Sequence, residues 1–374
     1  MHVERDIAGI TVPFIIGLAA AVCFGSCMTG YFIPVASTSL LLCSIPALLL
    51  FSDITGTRRL VPRWPAIIAM MTFCGIFIGS SDLLLEVSRH DVPGVLGRAA
   101  LDFGARLQKS IRLIPFTNPE TNGIINALIT GDKTGISHDI KVAFRESGAS
   151  HVLALSGLHL GIIYVIIRKS LGIIGNSPAA KMMKSVTTMA LCGFYTLAPG
   201  AGPSIVRALL FIIIGETTML THRKNSLRSM ILTAMFIQLI IEPSAIKDVG
   251  FQLSYAAVAG IAWIYPHLRS FWPGNPSDDK GMVKGLRWIW NSAALSIACQ
   301  VTTGPLAYIY FQSFPMQFIL TNLIAIPLTG VIIPSALLTL VASSFGCCPD
   351  ILLRITEMLV TALSESLYII STQG

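Results

Sequence analysis

The sequence predicts an all-α, polytopic membrane protein: a bundle of about eleven transmembrane helices with an amphipathic helical segment on its outer face. Three observations carry the prediction. Of 374 residues, 53% are hydrophobic and only 12% are charged. The mean hydropathy is +0.72, more apolar than a soluble core of this length requires. The apolar residues also gather into runs of about 20, the length that crosses the hydrocarbon at about 1.5 Å rise per residue.

In chain order the runs lie near residues 8–30, 34–51, 66–85, 151–171, 184–201, 203–221, 229–246, 250–266, 288–311, 317–342 and 351–371. The first is too long for the core of a cleaved signal peptide, and Met1–Asp6 carries as much acid as base. It reads as a retained span, so residues 1–85 form an N-terminal group of spans. Residues 86–150 break the pattern. Val95, Ala99, Phe103, Leu107, Ile111 and Ile114 recur there at helical spacing, which predicts an amphipathic helix along the outer face rather than a separate folded domain. Arg98, Arg106, Lys109 and Arg112 form its wet side, suited to lipid headgroups or to guiding nucleic acid. After Gly131, Asp132 and Lys133 occupy a predicted turn between two short amphipathic helices, where a helix cap explains the aspartate. Asp132, Lys133, Lys141 and Arg145 are the candidate entrance residues, where attraction of phosphates would be salt-sensitive. Residues 151–374 hold the remaining spans.

Orientation follows from charge, because short basic loops resist translocation. Four connections are basic: Arg58, Arg59 and Arg63; Arg168, Lys169, Lys181 and Lys184; Arg223, Lys224 and Arg228; and Arg269, Lys280, Lys284 and Arg287. The connections near 199–203 and 312–317 carry no Lys or Arg, and that near 242–250 carries only Lys247. A cytoplasmic N-terminus makes the two groups alternate through the first nine or ten spans and places 86–150 outside. The stretch from Pro273 reads as an exposed inside loop.

The chemistry of enzymes and pumps is absent from the pattern. The eight cysteines fall mostly inside apolar runs without the paired spacing of a zinc site, which suits packing. No Gly-x4-Gly-Lys-Ser/Thr loop is present to cradle a nucleotide. No catalytic residue, metal site or cofactor is expected.

Polar residues inside the spans carry the functional reading, since such residues are expensive in lipid. The stretch His151–Lys169 contains Ser156, Gly157, His159 and Gly161 within an otherwise apolar run. Counted from the outer end of each span, Ser156 and His159 lie in the first turns of one, Arg207 in the first turns of another, and Gln252 and Ser254 at the start of a third. Gln300, Thr302 and Thr303 fall in the outer half of a fourth, and Thr321 and Asn322 open a fifth. That common depth suggests an outer vestibule narrowing inward. Each residue has a packing reading as well: Ser156 and His159 share a face and suit interhelical hydrogen bonding as well as pore lining, and the Gly157/Gly161 pair suits close helix approach. Arg207 cannot shed its proton. Its only fixed countercharge on the same helix, Glu216, is nine residues on and about 13 Å away along the axis, so Arg207 pairs with another helix or faces an aqueous cavity. Glu216 suits a gate, a cation partner or a structural hydrogen bond. Tyr195, Tyr255, Tyr308, Tyr310 and Phe311 sit near span ends, as aromatic belts or as stacking platforms for bases.

Four patterns in order resemble the ComEC competence family. They are Ala127-Leu-Ile-Thr-Gly-Asp-Lys-Thr-Gly-Ile with Phe144-Arg-Glu-Ser-Gly-Ala-Ser-His151 and Leu155-Ser-Gly-Leu-His159; Gly202-Pro-Ser-Ile-Val-Arg207-Ala; Asp248-Val-Gly-Phe-Gln-Leu-Ser254-Tyr-Ala-Ala; and Phe311 with Phe314-Pro315 and Asn322 ahead of Ile326-Pro-Leu. The resemblance implies a bacterial inner-membrane (plasma-membrane) channel that passes single-stranded DNA into the cytoplasm during natural transformation. Larger members of that family carry an outside OB-like domain and a metallo-β-lactamase-like domain; the short 52–65 connection and the end of the chain leave room for neither. The seven histidines include no His-x-His-x-Asp-His run, so nuclease activity is not expected. A separate DNA-receptor protein, a nuclease and a helicase-like ATPase are the implied partners, with the lipid bilayer as surroundings. The competing readings are a secondary transporter of a small anionic solute, with Arg207 as clamp and Glu216 or His159 for proton coupling, and a fragment or subunit without transport activity.

Overall fold

The computed structural model describes residues 2–25, 32–54, 63–85, 94–222, 226–272, 280–312, 317–346 and 348–372. Arg58, Arg59, Arg223, Lys224, the stretch 273–279, Phe314–Pro315, Cys27, Cys347 and the first residues of the 86–150 segment, 86–93, lie outside them. Among the described residues all regular structure is helical, with no strand. The helices are α1 (His2–Gly25), α2 (Phe32–Ile54), α3 (Arg63–Leu85), α4 (Val95–Arg112), α5 (Pro119–Thr130), α6 (His138–Glu146), α7 (Ser150–Leu153) and α8 (Gly157–Ser170). They continue with α9 (Pro178–Leu197), α10 (Pro203–Leu220), α11 (Leu227–Ile241), α12 (Val249–Ala259), α13 (Tyr265–Ser270), α14 (Met282–Phe311), α15 (Phe318–Ser344) and α16 (Asp350–Thr372). A π-helical stretch, Gly260–Ile264, joins α12 to α13.

Among the described residues a helix lies within each apolar run of the sequence. Four stretches among the described residues are long and apolar enough to cross a membrane: Glu4–Cys23, Trp64–Asp82, Pro203–Leu220 and Phe318–Ser344. Others are shorter. α8 has 14 residues, about 21 Å of helix against a hydrocarbon core of about 30 Å, because the run 151–171 is broken. α7 ends in extended Ala154 (φ −82°, ψ 132°), and Ser156 is extended as well (φ −118°, ψ 170°), so α8 begins only at Gly157.

The chain forms two compact units, residues 1–92 with 223–255 and residues 93–222 with 256–374. In the first, α1 and α3 pack backbone to backbone. A Cβ at Gly17 would collide with the Thr72 carbonyl, and one at Gly75 with the Phe14 carbonyl, the small-residue contact that membrane helices use where no hydrophobic drive exists between them. α11 joins them through an edge-to-face Phe14–Phe236 pair with centroids 4.8 Å apart, and Arg228 reaches Glu4 at 3.6 Å.

The second unit is built around α5. Its Ile124, Ile125, Leu128 and Ile129 are buried against Ala325, Ile332, Ile333 and Ala336 of α15 and Val360, Leu363 and Leu367 of α16. α5 therefore differs from the expected amphipathic outer helix: it is covered nearly all round, with Thr121 and Gly123 to Thr130 all buried. α4 is amphipathic as expected, and Leu107, Ile111 and Ile114 pack inward as expected, but in its first half the buried residues are Ala100 and Gly104, displaced by one residue from Ala99 and Phe103. Val95 is 87% exposed and Phe103 is 43% exposed. Gly104 explains the rotation. A Cβ there would lie 2.5 Å from the Ala198 carbonyl, so the smallest residues face α9 and Phe103 is left to tilt against Phe194 at 5.4 Å.

Candidate functional site

Within the second unit, α8 and α10 bound a cleft of about 380 Å³ lined by Ser156, Gly157, Leu158, Gly161, Arg207, Ala208, Phe211, Ile212 and Val258. The local sequence builds its floor. Ser156 is the N-cap of α8, and the His159 side chain folds back on it: Nδ1 lies 2.9 Å from the Ser156 N–H nitrogen and 3.1 Å from Ser156 Oγ. This is the geometry of a capping box with imidazole where Glu or Gln usually stands. A helix start leaves its first amides without intrahelical partners and carries the positive end of the helix dipole.

α10 supplies the other wall. Gly200 (φ 92°) and Ala201 (φ 52°) turn the chain through the left-handed region, and Pro203 opens the helix after Gly202, where the missing N–H is no loss. Arg207 follows one turn later, 8% exposed and facing the cleft. Gly157 is what lets it approach: a Cβ there would meet Ala208 Cβ at 3.2 Å and Arg207 Nη2 at 3.4 Å. Gly161 does something different from the expected close helix contact. No atom lies within 4 Å of its would-be Cβ, so its missing side chain leaves the cleft open. A guanidinium and a helix N-terminus, both positive, thus face one space whose other lining is mostly apolar, an arrangement that attracts anions.

Glu216 lies further along α10 and is fully buried. Tyr164 Oη donates to its Oε1 at 2.8 Å, Ser185 Oγ donates to Oε2 at 2.5 Å, and Arg168 Nη1 lies 3.4 Å from Oε2. The carboxylate is therefore the knot of α8, α9 and α10. Its cationic partner is on another helix, as the same-helix spacing requires for Arg207 too.

The other sequence candidates fall in several places. Gln252 and Ser254 belong to the first unit; Gln252 Nε2 donates to the Ile246 carbonyl at 2.9 Å and Ser254 is buried. In α14, Thr303 Oγ1 donates to its own helix at the Cys299 carbonyl, 2.9 Å away, as does Thr302, and Gln300 is half-buried. Asn322 Nδ2 reaches Ser296 Oγ at 3.3 Å, tying α15 to α14, and Thr321 Oγ1 donates to the Ser147 carbonyl at 2.7 Å. Lys133, Lys141 and Arg145 are exposed, the last two a helical turn apart on α6.

Asp132 is not a helix cap. Gly131 (φ 78°) closes α5, and Ser137 opens α6. Asp132 instead organises the turn: Oδ1 accepts from the Thr134 N–H at 3.0 Å, and Oδ2 accepts from Arg112 at 2.7 Å and Asn126 at 3.0 Å. Burial, the largest single influence on this carboxyl, pushes its pKa up. The Thr134 hydrogen bonds and the Arg112 hydrogen bond and charge outweigh it and hold the group below the usual aspartate value. A second cleft of about 360 Å³ opens beside it, lined by Arg112, Asn122, Asn126 and Thr134 among others. Tyr195 Oη donates to the Ile129 carbonyl, fastening α9 to the end of α5.

Sequence reasoning missed Tyr164, Ser185 and Arg168 around Glu216, which lie 31 to 52 residues away in the chain with no local signal. It missed Thr134 as an Asp132 partner although the i to i+2 spacing is a recognisable Asx-turn pattern.

Comparison with known proteins places the chain. The family model described as Competence protein matches residues 128–373. Among curated proteins, ComE operon protein 3 of Bacillus subtilis (strain 168) is 26% identical over 251 residues, 63% of this chain and 29% of that protein. Competence protein ComA of Neisseria gonorrhoeae is 26% identical over 222 residues, 58% of this chain and 30% of that one. Uncharacterized protein YcaI of Escherichia coli (strain K12) is 23% identical over 247 residues, 65% and 31% respectively. The chain thus spans about a third or less of the length of these curated relatives. No solved structure matches it. The matched region includes α8, α10, the cleft and the Asp132 turn, and the chain is a multi-pass membrane protein that belongs to the Competence protein family.

Proposed function

We propose that this chain is the membrane-embedded part of a DNA-uptake system, conducting single-stranded DNA across the bacterial inner membrane into the cytoplasm during natural transformation, with its N-terminus cytoplasmic. Family membership supports a role in DNA uptake. The observation that carries the channel reading is the cleft in which buried Arg207 and the start of α8 face the same space. A strand carries one charge per phosphate, and a charge at the bilayer centre costs at least about 2.5 kcal/mol, so each phosphate needs a wet, electropositive surface. Lys133, Lys141 and Arg145 would draw the strand to the outer face. A receptor, a nuclease and a helicase-like motor act with this chain in the same proposal, and the chain itself catalyses no reaction.

The test is DNA uptake by cells whose only copy carries Arg207→Ala, at equal membrane levels of protein. Losing a buried phosphate contact predicts a drop of at least about tenfold, with Arg207→Lys intermediate because a point charge replaces the fork. Unimpaired uptake in the alanine variant refutes the reading. The cleft volume also suits a small anionic solute, and saturable, pH-dependent anion flux in liposomes would favour a secondary transporter instead.

A further inference from the structure

His159 is placed to act through Ser156 rather than on anything in the cleft. Its side chain is 1% exposed, and it is not among the residues lining the cleft, whereas Ser156, Gly157 and Leu158 all are. The ring touches the cleft wall from behind, through Nδ1. That atom faces a donor that has no choice of role: the Ser156 backbone N–H, at 2.9 Å, can only donate. Nδ1 must therefore be the unprotonated, accepting nitrogen. The proton of a neutral ring then sits on Nε2, a buried atom with no hydrogen-bond partner among the described residues. An imidazolium, or the opposite tautomer, would turn a proton toward the Ser156 N–H and break the cap.

We infer that His159 is a positioning residue, held as the Nε2–H tautomer, whose Nδ1 caps α8 and so sets the Ser156–Gly157 wall against Arg207. The consequence for the site is geometric. Ala154 and Ser156 are both extended, so nothing helical holds the approach to α8 in register, and the imidazole is the side chain that reinforces the His159 N–H bond to the Ser156 carbonyl, 3.1 Å, in tying the N-cap to the first turn. Gly157 stands 3.4 Å from Arg207 Nη2 when a Cβ is placed on it, so a cap that slips moves the cleft's polar floor relative to the guanidinium. The role needs an acceptor at the Nδ1 position and needs neither a proton relay nor a metal ligand.

Two readouts test the assignment, and only the second rests on the channel reading. Full-length protein labelled with 15N-histidine and reconstituted in lipid bilayers is examined by solid-state NMR at pH 7, with the His159 pair identified by its loss in His159→Asn. The expected result is a protonated Nε2 and an unprotonated Nδ1; a protonated Nδ1 or a doubly protonated ring overturns the inference. In DNA uptake, His159→Asn places Oδ1 where Nδ1 stands and should remain within about threefold of wild type, while His159→Phe, with similar shape and no acceptor, should fall at least about fivefold, the scale of a lost N-cap. Asn as defective as Phe, or Phe at wild-type level while Arg207→Ala is defective, overturns the positioning role. Intact uptake in both His159→Phe and Arg207→Ala, with the expected tautomer, sinks the channel reading and leaves the cap standing.

Discussion

Replacing Glu216 by alanine removes the acceptor of two hydrogen bonds, from Tyr164 at 2.8 Å and Ser185 at 2.5 Å, and the countercharge of Arg168 at 3.4 Å, on two neighbouring helices. Two scales compete for the size of the effect. Hydrogen bonds to charged groups contribute about 1.5–3 kcal/mol in soluble proteins, whereas bonds between membrane helices average about 0.6 and reach about 1.7 kcal/mol, since the unfolded chain in lipid also finds partners. Ser185 is buried and its bond is short, so it sits at the upper end. Arg168 keeps 28% of its side chain exposed and rehydrates when abandoned, so it adds little. The expected loss is about 2–4 kcal/mol for Glu216→Ala and about half that for Glu216→Gln, which keeps one carbonyl acceptor and the shape. The assay is reversible unfolding of the purified protein in mixed micelles with denaturing detergent, run as a cycle with Ser185→Ala. A coupling of at least about 1 kcal/mol is expected between the two sites. Stability of Glu216→Ala within about 0.5 kcal/mol of wild type, or strict additivity with Ser185→Ala, would refute the view that this carboxylate ties α8, α9 and α10 together.

Three further outcomes follow from the same geometry. Asp132, held below the usual aspartate value, stabilises the 131–137 turn at every pH above that value and stops doing so as pH falls through its own lower midpoint; a 13C carboxyl titration should show that midpoint move up in Thr134→Pro, and an unchanged midpoint would discredit the Asx turn as its cause. Gly260→Val forces a side chain into the Ala298 carbonyl and toward Thr302 Oγ1 at 2.7 Å, so the protein should lose about 1–3 kcal/mol, read by the same detergent unfolding. Gly161→Ala, by contrast, meets nothing within 4 Å: stability should hold within about 0.5 kcal/mol while uptake falls if the cleft is part of the path, and equal uptake would remove Gly161 from it.

The all-helical class was legible because hydropathy in lipid is a property of runs, not of partners, and among the described residues a helix does lie within each apolar run from 8–30 to 351–371. The Gly202-Pro-Ser-Ile-Val-Arg207 pattern likewise announced a helix start with an arginine one turn inside it, and the structure has that helix and that arginine facing a cleft. Where reasoning from the chain failed, a neighbour decided. α5 is enclosed because α15 and α16 close over it; its near-continuous apolar run Gly123–Ile129 fits a helix covered all round, but which helices cover it is not written in its 12 residues. In the first half of α4 the stripe turned by one position because backbone contact at Gly104 outweighs the burial of a larger Phe103, while Leu107, Ile111 and Ile114 pack inward as expected.

The same division holds for the site. Local bonds were within reach: Ser156 with His159 three residues on, Asp132 with Thr134 two residues on, since neighbours in sequence meet through backbone geometry alone. Composition and order of residues alone make this chain a membrane-spanning helical protein with a charged arginine that must be solvated or paired. Which groups answer the buried charges is a different matter. Glu216 belongs to Tyr164, Ser185 and Arg168, and Arg207 faces a glycine-lined cleft, because a charge in a low-dielectric interior is stabilised by whatever donors and acceptors stand within about 3 Å, and helices far apart in the chain are brought to that distance only by packing.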